Sequence, residues 1–229
     1  MKKRRLIGSI VACLVALPLL AQNDPGAKQP SSRLVFVKEF PGSVPDYYSV
    51  TVAENGEAIY ATAPDDPEPL RFRLSPSLAR QFFDAAARLN YFKDARFETR
   101  RKVAAMGKKT FRYEGNGQRY ETSFNYSDNP EAMALAGAFE KISTTEQHLL
   151  NLERLVRHDR LGVMKQLVQI EISLNKRELV EPGQLVPLLE EIAGNSQFLH
   201  IAQERARYLL RRFQGDYTPA LFPAGTSRQ

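Results

Sequence analysis

Three histidines, His148, His158 and His200, are where acid–base or metal chemistry would have to start in this chain. None has a second histidine at a metal-ligand spacing such as HExxH. Asp159 follows His158, but neighbouring helical residues point apart. All three are expected to be structural or surface side chains. The sequence holds no GxSxG elbow, P-loop or GxGxxG. Carboxylates are the remaining route, since a glycosidase needs two, one of them kept protonated by its surroundings. With 26 acids some pair always exists, so the count itself selects nothing. Asp65, Asp66 and Glu68 could offer oxygens to Ca²⁺, but they lack EF-hand spacing and its glycine and read as a solvated loop. No cofactor and no metal is expected.

Binding chemistry has one conspicuous stretch, KTFRYEGNGQRYETSF, Lys109 to Phe124, where bases alternate with rings. A single-strand nucleic-acid platform needs open rings beside unpaired bases. Asn116-Gly117 instead marks a two-residue hairpin turn. Pairing outward from it sets Glu114 opposite Arg119, Tyr113 opposite Tyr120, Arg112 opposite Glu121 and Phe111 opposite Thr122. Opposed charges across a ladder are worth roughly 0.2–1 kcal/mol each, so this hairpin is expected to satisfy itself. Arg100, Arg101, Lys102, Lys108 and Lys109 remain as a basic cluster, expected to be a solvated loop around Gly107. Within it Arg100 and Arg101 are kept as candidate anion contacts. Tyr47, Tyr48, Tyr60 and Tyr91 are the other candidates, able to line a groove for a peptide or sugar, or to rim a core.

The elements that must position these residues begin with a strand at Leu34–Val37. DYYSVTVAENGEAIYAT follows, with Asn55-Gly56 between two alternating runs. A two-residue turn there would place Val52 opposite Ile59 and Val50 opposite Ala61. Tyr48, Val50, Val52, Ile59 and Ala61 are then the expected core face. APDDPEPL is a loop. Phe72 and Leu74 restart a strand, and Ser75-Pro76 opens a helix with a stripe at Leu78, Phe82, Ala85 and Leu89. Asp128-Asn129-Pro130 starts another, with Leu135, Phe139 and Ile142 on one face. Ser143 and Glu146 have capping-box spacing and suggest a fresh helix start. Amphipathic helices then continue to Phe213. Their stripes are Leu149, Leu152 and Val156; Val163, Leu167, Ile170 and Leu174; Leu185, Leu188 and Ile192; and Phe198, Ile201, Tyr208 and Leu209. The expected fold is α+β: a small antiparallel sheet of hairpins packed by one or two helices, followed by an all-α C-terminal helical bundle.

The N-terminus, MKKRRLIGSIVACLVALPLLAQNDPG, has four basic residues and then an apolar run from Leu6 to Ala21. That is the pattern of an export signal, with cleavage expected after Ala21. The run falls short of the about 20 apolar residues of a spanning helix, which disfavours an uncleaved anchor. Cys13 sits in a loose lipoprotein-like box, but apolar sequence continues past it. Arg4-Arg5 does not lead into a good twin-arginine pattern. Removing the leader leaves 28 basic residues against 26 acidic ones, a formal +2 in place of +6. A polyanion partner is therefore not expected. The only cysteine, Cys13, leaves with the leader, so the mature chain has no disulfide and must be stable through its core. The expected organisation is a signal at 1–21, a linker at 22–32, an α+β domain at 33–142, a helical domain at 143–213 and a tail at 214–229. Tyr217, Leu221 and Phe222 are the residues that could tuck that tail.

YYSVTVAENGEAIY, FRLSPSLARQFFDAAARLNYF and GKKTFRYEGNGQRY together resemble an uncharacterised family of exported bacterial proteins known only as a domain of unknown function. The similarity covers about half the chain. It implies export and an α+β plan and brings no activity; the helical half and the acidic loop depart from the pattern. The expected function is an extracytoplasmic, periplasmic or secreted, non-catalytic binding or structural module. A protein of the cell envelope is its expected partner, with the helices as the natural partner surface. The alternative is an envelope glycan or peptide hydrolase using paired carboxylates. Neither nucleic acid nor a membrane span after signal removal is expected.

Overall fold

The computed structural model describes residues 32–215, 217, 221 and 222. The expected leader, the spacer up to residue 31 and most of the tail lie outside the described residues. The fold is mixed α+β. Six strands, β1 (Arg33–Glu39), β2 (Tyr47–Ala53), β3 (Glu57–Ala61), β4 (Leu70–Arg73), β5 (Lys108–Gly115) and β6 (Gln118–Phe124), form one antiparallel sheet in the order β4-β3-β2-β1-β5-β6. Five α-helices accompany them among the described residues: α1 (Pro76–Arg88), α2 (Pro130–His158), α3 (Val163–Asn175), α4 (Val186–Gly194) and α5 (His200–Phe213). No helix among the described residues is long and apolar enough to cross a membrane.

Strand alternation splits the sheet into two chemically different faces. Leu34, Phe36, Val50, Val52, Tyr60, Phe111 and Phe124 point to one side, where α1 and the first half of α2 bury them with Phe82, Leu135, Phe139 and Ile142. Phe139 is the hub of that layer. Its ring stacks on Phe36 at 5.1 Å and meets Phe82 at 4.8 Å and Phe111 at 6.3 Å. The stripe expected for α1 is buried as read, and so is that of the first half of α2. Tyr217 exchanges two hydrogen bonds with the backbone of Leu179, and Phe222 meets Phe82 edge-on at 5.6 Å.

The two hairpins turn differently. Asn116 and Gly117 both have positive φ, 52° and 72°, the signature of the expected type I′ turn, and every pairing expected across β5 and β6 is present. The β2–β3 register is one residue off expectation: Val52 faces Ala58, and Val50 faces Tyr60. Glu54, Asn55 and Gly56 form a three-residue loop, with the Gly56 N–H donating to the Ala53 carbonyl at 2.9 Å and Gly56 at φ 85°. A one-residue slip inverts a strand. Ala58 and Tyr60 therefore face the core, and Ile59 and Ala61 face outward, the reverse of the expected arrangement.

The reason lies outside the hairpin. The Leu74 N–H donates to the Gly56 carbonyl at 2.8 Å, and a Cβ on Gly56 would sit 2.7 Å from the Leu74 carbonyl oxygen. The end of β4 thus holds this loop. Gly117 has the same left-handed backbone and nothing within 4 Å of a Cβ. Gly117→Ala should therefore cost only the left-handed strain, about 1–2 kcal/mol, whereas Gly56→Ala adds the clash and should cost about 2–4 kcal/mol. Urea unfolding of the two variants measures the difference directly, and equal losses would contradict this account of the loop.

The fresh helix start expected at Ser143 does not occur. α2 runs unbroken for 29 residues from its true cap, Asn129, whose side chain accepts from the Glu131 and Ala132 N–H groups. No glycine or proline interrupts residues 143–148, and Ser143 and Thr145 find side-chain partners without ending the helix. Thr145 Oγ1 accepts from the Val180 N–H at 2.8 Å, and Ser143 Oγ accepts from Gln147 Nε2 at 2.7 Å. Beyond that point α2, α3, α4 and α5 enclose a second apolar cluster around Leu152, Leu167, Ile170, Leu189, Ile192 and Leu209. α5 departs from its expected stripe. Phe198, Ala202, Ala206 and Leu209 are buried while Ile201 is 55% exposed, because the small alanines let the helix approach closely.

Candidate functional site

The sheet's second face carries no helix among the described residues, and register alone organises it into two rows crossing the strands. The first runs Arg119, Glu114, Arg33, Ala53, Glu57, Arg73, and the second Glu121, Arg112, Val35, Thr51, Ile59, Arg71. The first row is charged at every position but Ala53, whereas the second has charge at its ends and the β-branched Val35, Thr51 and Ile59 in the middle. Between β4 and the β5–β6 turn this end of the face forms a trough of about 840 Å³. Thr51, Ala53 and Ile59 form its floor, with Arg71 and Arg73 on one flank and Arg33, Glu114 and residues 115–117 on the other.

Charge in the rows is unevenly satisfied. Glu114 is shared among Arg33, Arg112 and Arg119, while Arg112 Nε donates to Glu121 Oε2 at 2.6 Å. That arginine bond is the main cause holding the Glu121 carboxyl below the usual carboxylate range. Arg73 meets Glu57 at 3.3 Å and donates to the Asn55 carbonyl. Five arginines thus stand against three glutamates across the two rows, an excess of two positive charges. Arg71 has no ion-pair or hydrogen-bond partner among the described residues. Such surface pairs contribute about 0–1 kcal/mol each, so a ligand carboxylate could exchange with them at little cost.

The residues nominated from sequence are distributed otherwise. Tyr48 and Tyr60 lie inside the core, 6.0 Å apart ring to ring. Burial raises the pKa of both hydroxyls. Tyr91 packs on Tyr113 at 4.5 Å, and Tyr47 lies on the outer face. The four tyrosines therefore do not share a groove; the slipped register turned Tyr60 inward. Arg101 pairs with Asp128 and lies over the Tyr126 ring at 6.0 Å, while Arg100 is exposed. Lys109, expected in a solvated loop, is 2% exposed and donates to the carbonyls of Met106, Gly107 and Asn125. Burial lowers its pKa. It pins the loop before β5 and is out of reach of a guest. Asp66 binds the Thr62 and Glu68 N–H groups, organising the acidic loop through backbone bonds.

Sequence reasoning missed Arg33, Arg71, Arg73 and Ile59. The alternation Arg71-Phe72-Arg73 was a usable signal, since period two puts both arginines on one face. The arrangement that comes nearest to catalysis lies elsewhere. His148 Nε2 contacts Ser173 Oγ at 2.9 Å, and Gln166 Nε2 contacts His148 Nδ1 at 2.8 Å. Ser173 is in the last turn of α3, where backbone N–H groups are spent within the helix and supply no oxyanion donors. Burial lowers the His148 pKa, consistent with a neutral packed imidazole. Glu146 is the other singular group. It is fully buried in α2, with Oε1 accepting from Gln184 Nε2 at 3.0 Å and Oε2 without a partner. Burial pushes its pKa up to about 7, the Gln184 bond offsetting part of the shift. Sealed from solvent, it has no access to a substrate. Among the described residues no group of three or more His, Cys, Asp or Glu side chains is placed to hold a metal ion. No family model matches the chain and no curated protein matches it, so the resemblance carried by the hairpin and helix segments stands on those segments alone.

Proposed function

We propose that the mature chain is an extracytoplasmic binding module without catalysis of its own, and that the open sheet face is its recognition surface. The observation that carries this reading is the trough, with its neutral floor of Thr51, Ala53 and Ile59, its arginine flanks and the unpartnered Arg71. Concave, mostly apolar surfaces with a few convergent polar groups are where ligands are held. The glutamates there, Glu57 and Glu114, are each occupied by guanidinium groups, which favours binding over a carboxylate hydrolase. Export rests on the leader-like N-terminus, with cleavage near Ala21 and a periplasmic or secreted mature chain. The C-terminal helices act in this reading as an all-α bundle that backs the sheet domain.

A photo-crosslinking side chain installed at Ile59 tests the surface in cells, with Gln169 on exposed α3 as the comparison. The expected result is a discrete adduct from position 59 in the envelope fraction, on a chain whose N-terminus by mass spectrometry lies just after Ala21. Adducts from 169 alone would move recognition to the helices and overturn the surface assignment. A cytosolic chain that retains Met1 through Ala21 would overturn export.

A further inference from the structure

We propose that the trough takes an extended, acidic peptide segment of a partner protein, laid across the strands, with two carboxylates four residues apart. The inference rests on the trough being the recognition surface and adds the ligand's chemistry.

Three dimensions on the page set the spacing. The unpartnered Arg71 is on β4 and Arg33 is on β1, with β3 and β2 between them. Three strand-to-strand steps of about 4.8 Å, with the two-residue offset of about 7 Å between the row of Arg33 and the row of Arg71, span roughly 16 Å. An extended chain rises about 3.3 Å per residue, so residues i and i+4 lie about 13 Å apart, and the long arginine side chains lean inward over the remaining distance of about 3 Å. Period two then puts residues i and i+4 on the same side of the peptide, and both can face the sheet. Residue i+2 falls over Thr51 and Ile59, which asks for a small or β-branched apolar side chain. The floor strands are interior and their backbone groups are already paired, so the ligand is held through side chains, without joining the ladder.

Charge gives the sign. The rows carry two surplus positive charges, Arg71 has no partner among the described residues, and Arg33 shares Glu114 with two other arginines. Guanidinium groups meet carboxylates in a bidentate fork, so an incoming acid at either flank gains a partner without stripping the only one a glutamate has.

The test uses the full mature chain and fluorescent peptides built on Glu-Thr-Val-Thr-Glu, read by anisotropy at low and moderate salt. The expected result is binding that weakens about five- to tenfold when either glutamate becomes glutamine. It should weaken similarly when the acids are moved to two residues apart, and again as salt rises. Arg71→Ala should lower affinity by a similar factor, and Arg71→Glu should prefer a peptide with lysine at the matching end. Affinity that ignores Glu-to-Gln exchange but still falls in an Ile59→Asp variant overturns the acidic ligand class and leaves the trough as the site. If no peptide binds while the position-59 crosslink persists, the peptide class fails. Affinity that responds to Arg100→Ala and not to Arg71→Ala removes both the ligand class and the surface.

Discussion

Glu146→Gln is expected to make the protein more stable above neutral pH, by about 1–3 kcal/mol at pH 8. The carboxyl is fully buried with one oxygen unpartnered, and its pKa is raised from 4.5 to about 7. Between those two values the unfolded chain has released this proton and the folded chain still holds it. Stability therefore falls as pH rises from 4.5 to about 7 and levels off above. The full shift corresponds to a loss on the order of 3 kcal/mol. Glutamine keeps the shape and still accepts from Gln184, but carries no charge to desolvate, and its extra N–H group without a partner takes back part of the gain. His148 works in the opposite sense. Its lowered pKa means the unfolded chain binds the proton first as pH falls below the ordinary histidine value, so that term favours the folded state as pH rises. Comparing the variant with the native chain at each pH cancels the histidine contribution, which is common to both. Urea midpoints at pH 5 and pH 8 measure the effect. Parallel pH profiles for the two proteins would mean that Glu146 is hydrated or paired in the folded state.

Phe139→Ala is expected to cost about 3–5 kcal/mol, much of the margin of a typical domain. The ring lies between Phe36 and Phe111 of the sheet and Phe82 of α1, and is fully buried. Deleting it opens a void bounded by three rigid rings, which cannot collapse to fill it, so the upper part of the range applies. Phe139→Leu, which retains most of the volume, should lose less than half as much. Thermal unfolding of both variants reads this ordering. Equal losses would show that the layer relaxes around the missing ring.

How far the sequence determines its own reading varies between two loops of nearly identical chemistry. A Cβ on Gly117 would meet nothing within 4 Å, so local turn preference decided the register of Asn116-Gly117 and every cross-strand pair could be derived. Asn55-Gly56 carries the same dipeptide, yet the end of β4 grips Gly56 through Leu74. A contact 18 residues away in sequence selected the longer loop and inverted β3. The amphipathic stripes of α1 and α3 were legible because each helix buries a single face. The trough was not, since its rows depend on β1 pairing with β2 on one side and with the distant β5 on the other. Glu146 was hidden by coincidence. Its spacing from Ser143 imitates a helix start, and only the packing of the segment around Gln184 turns that glutamate into a buried acid.

α2 supplies Leu135, Phe139 and Ile142 to one apolar cluster and Leu152, Leu155 and Val156 to the other. At 29 residues it is a rod about 43 Å long, with the buried carboxyl between its two anchored ends. Such a shared girder makes the halves mechanically dependent, because a tug on the sheet reaches the far helices along one continuous backbone. Neither half can shed its wall of the girder and keep an intact interior.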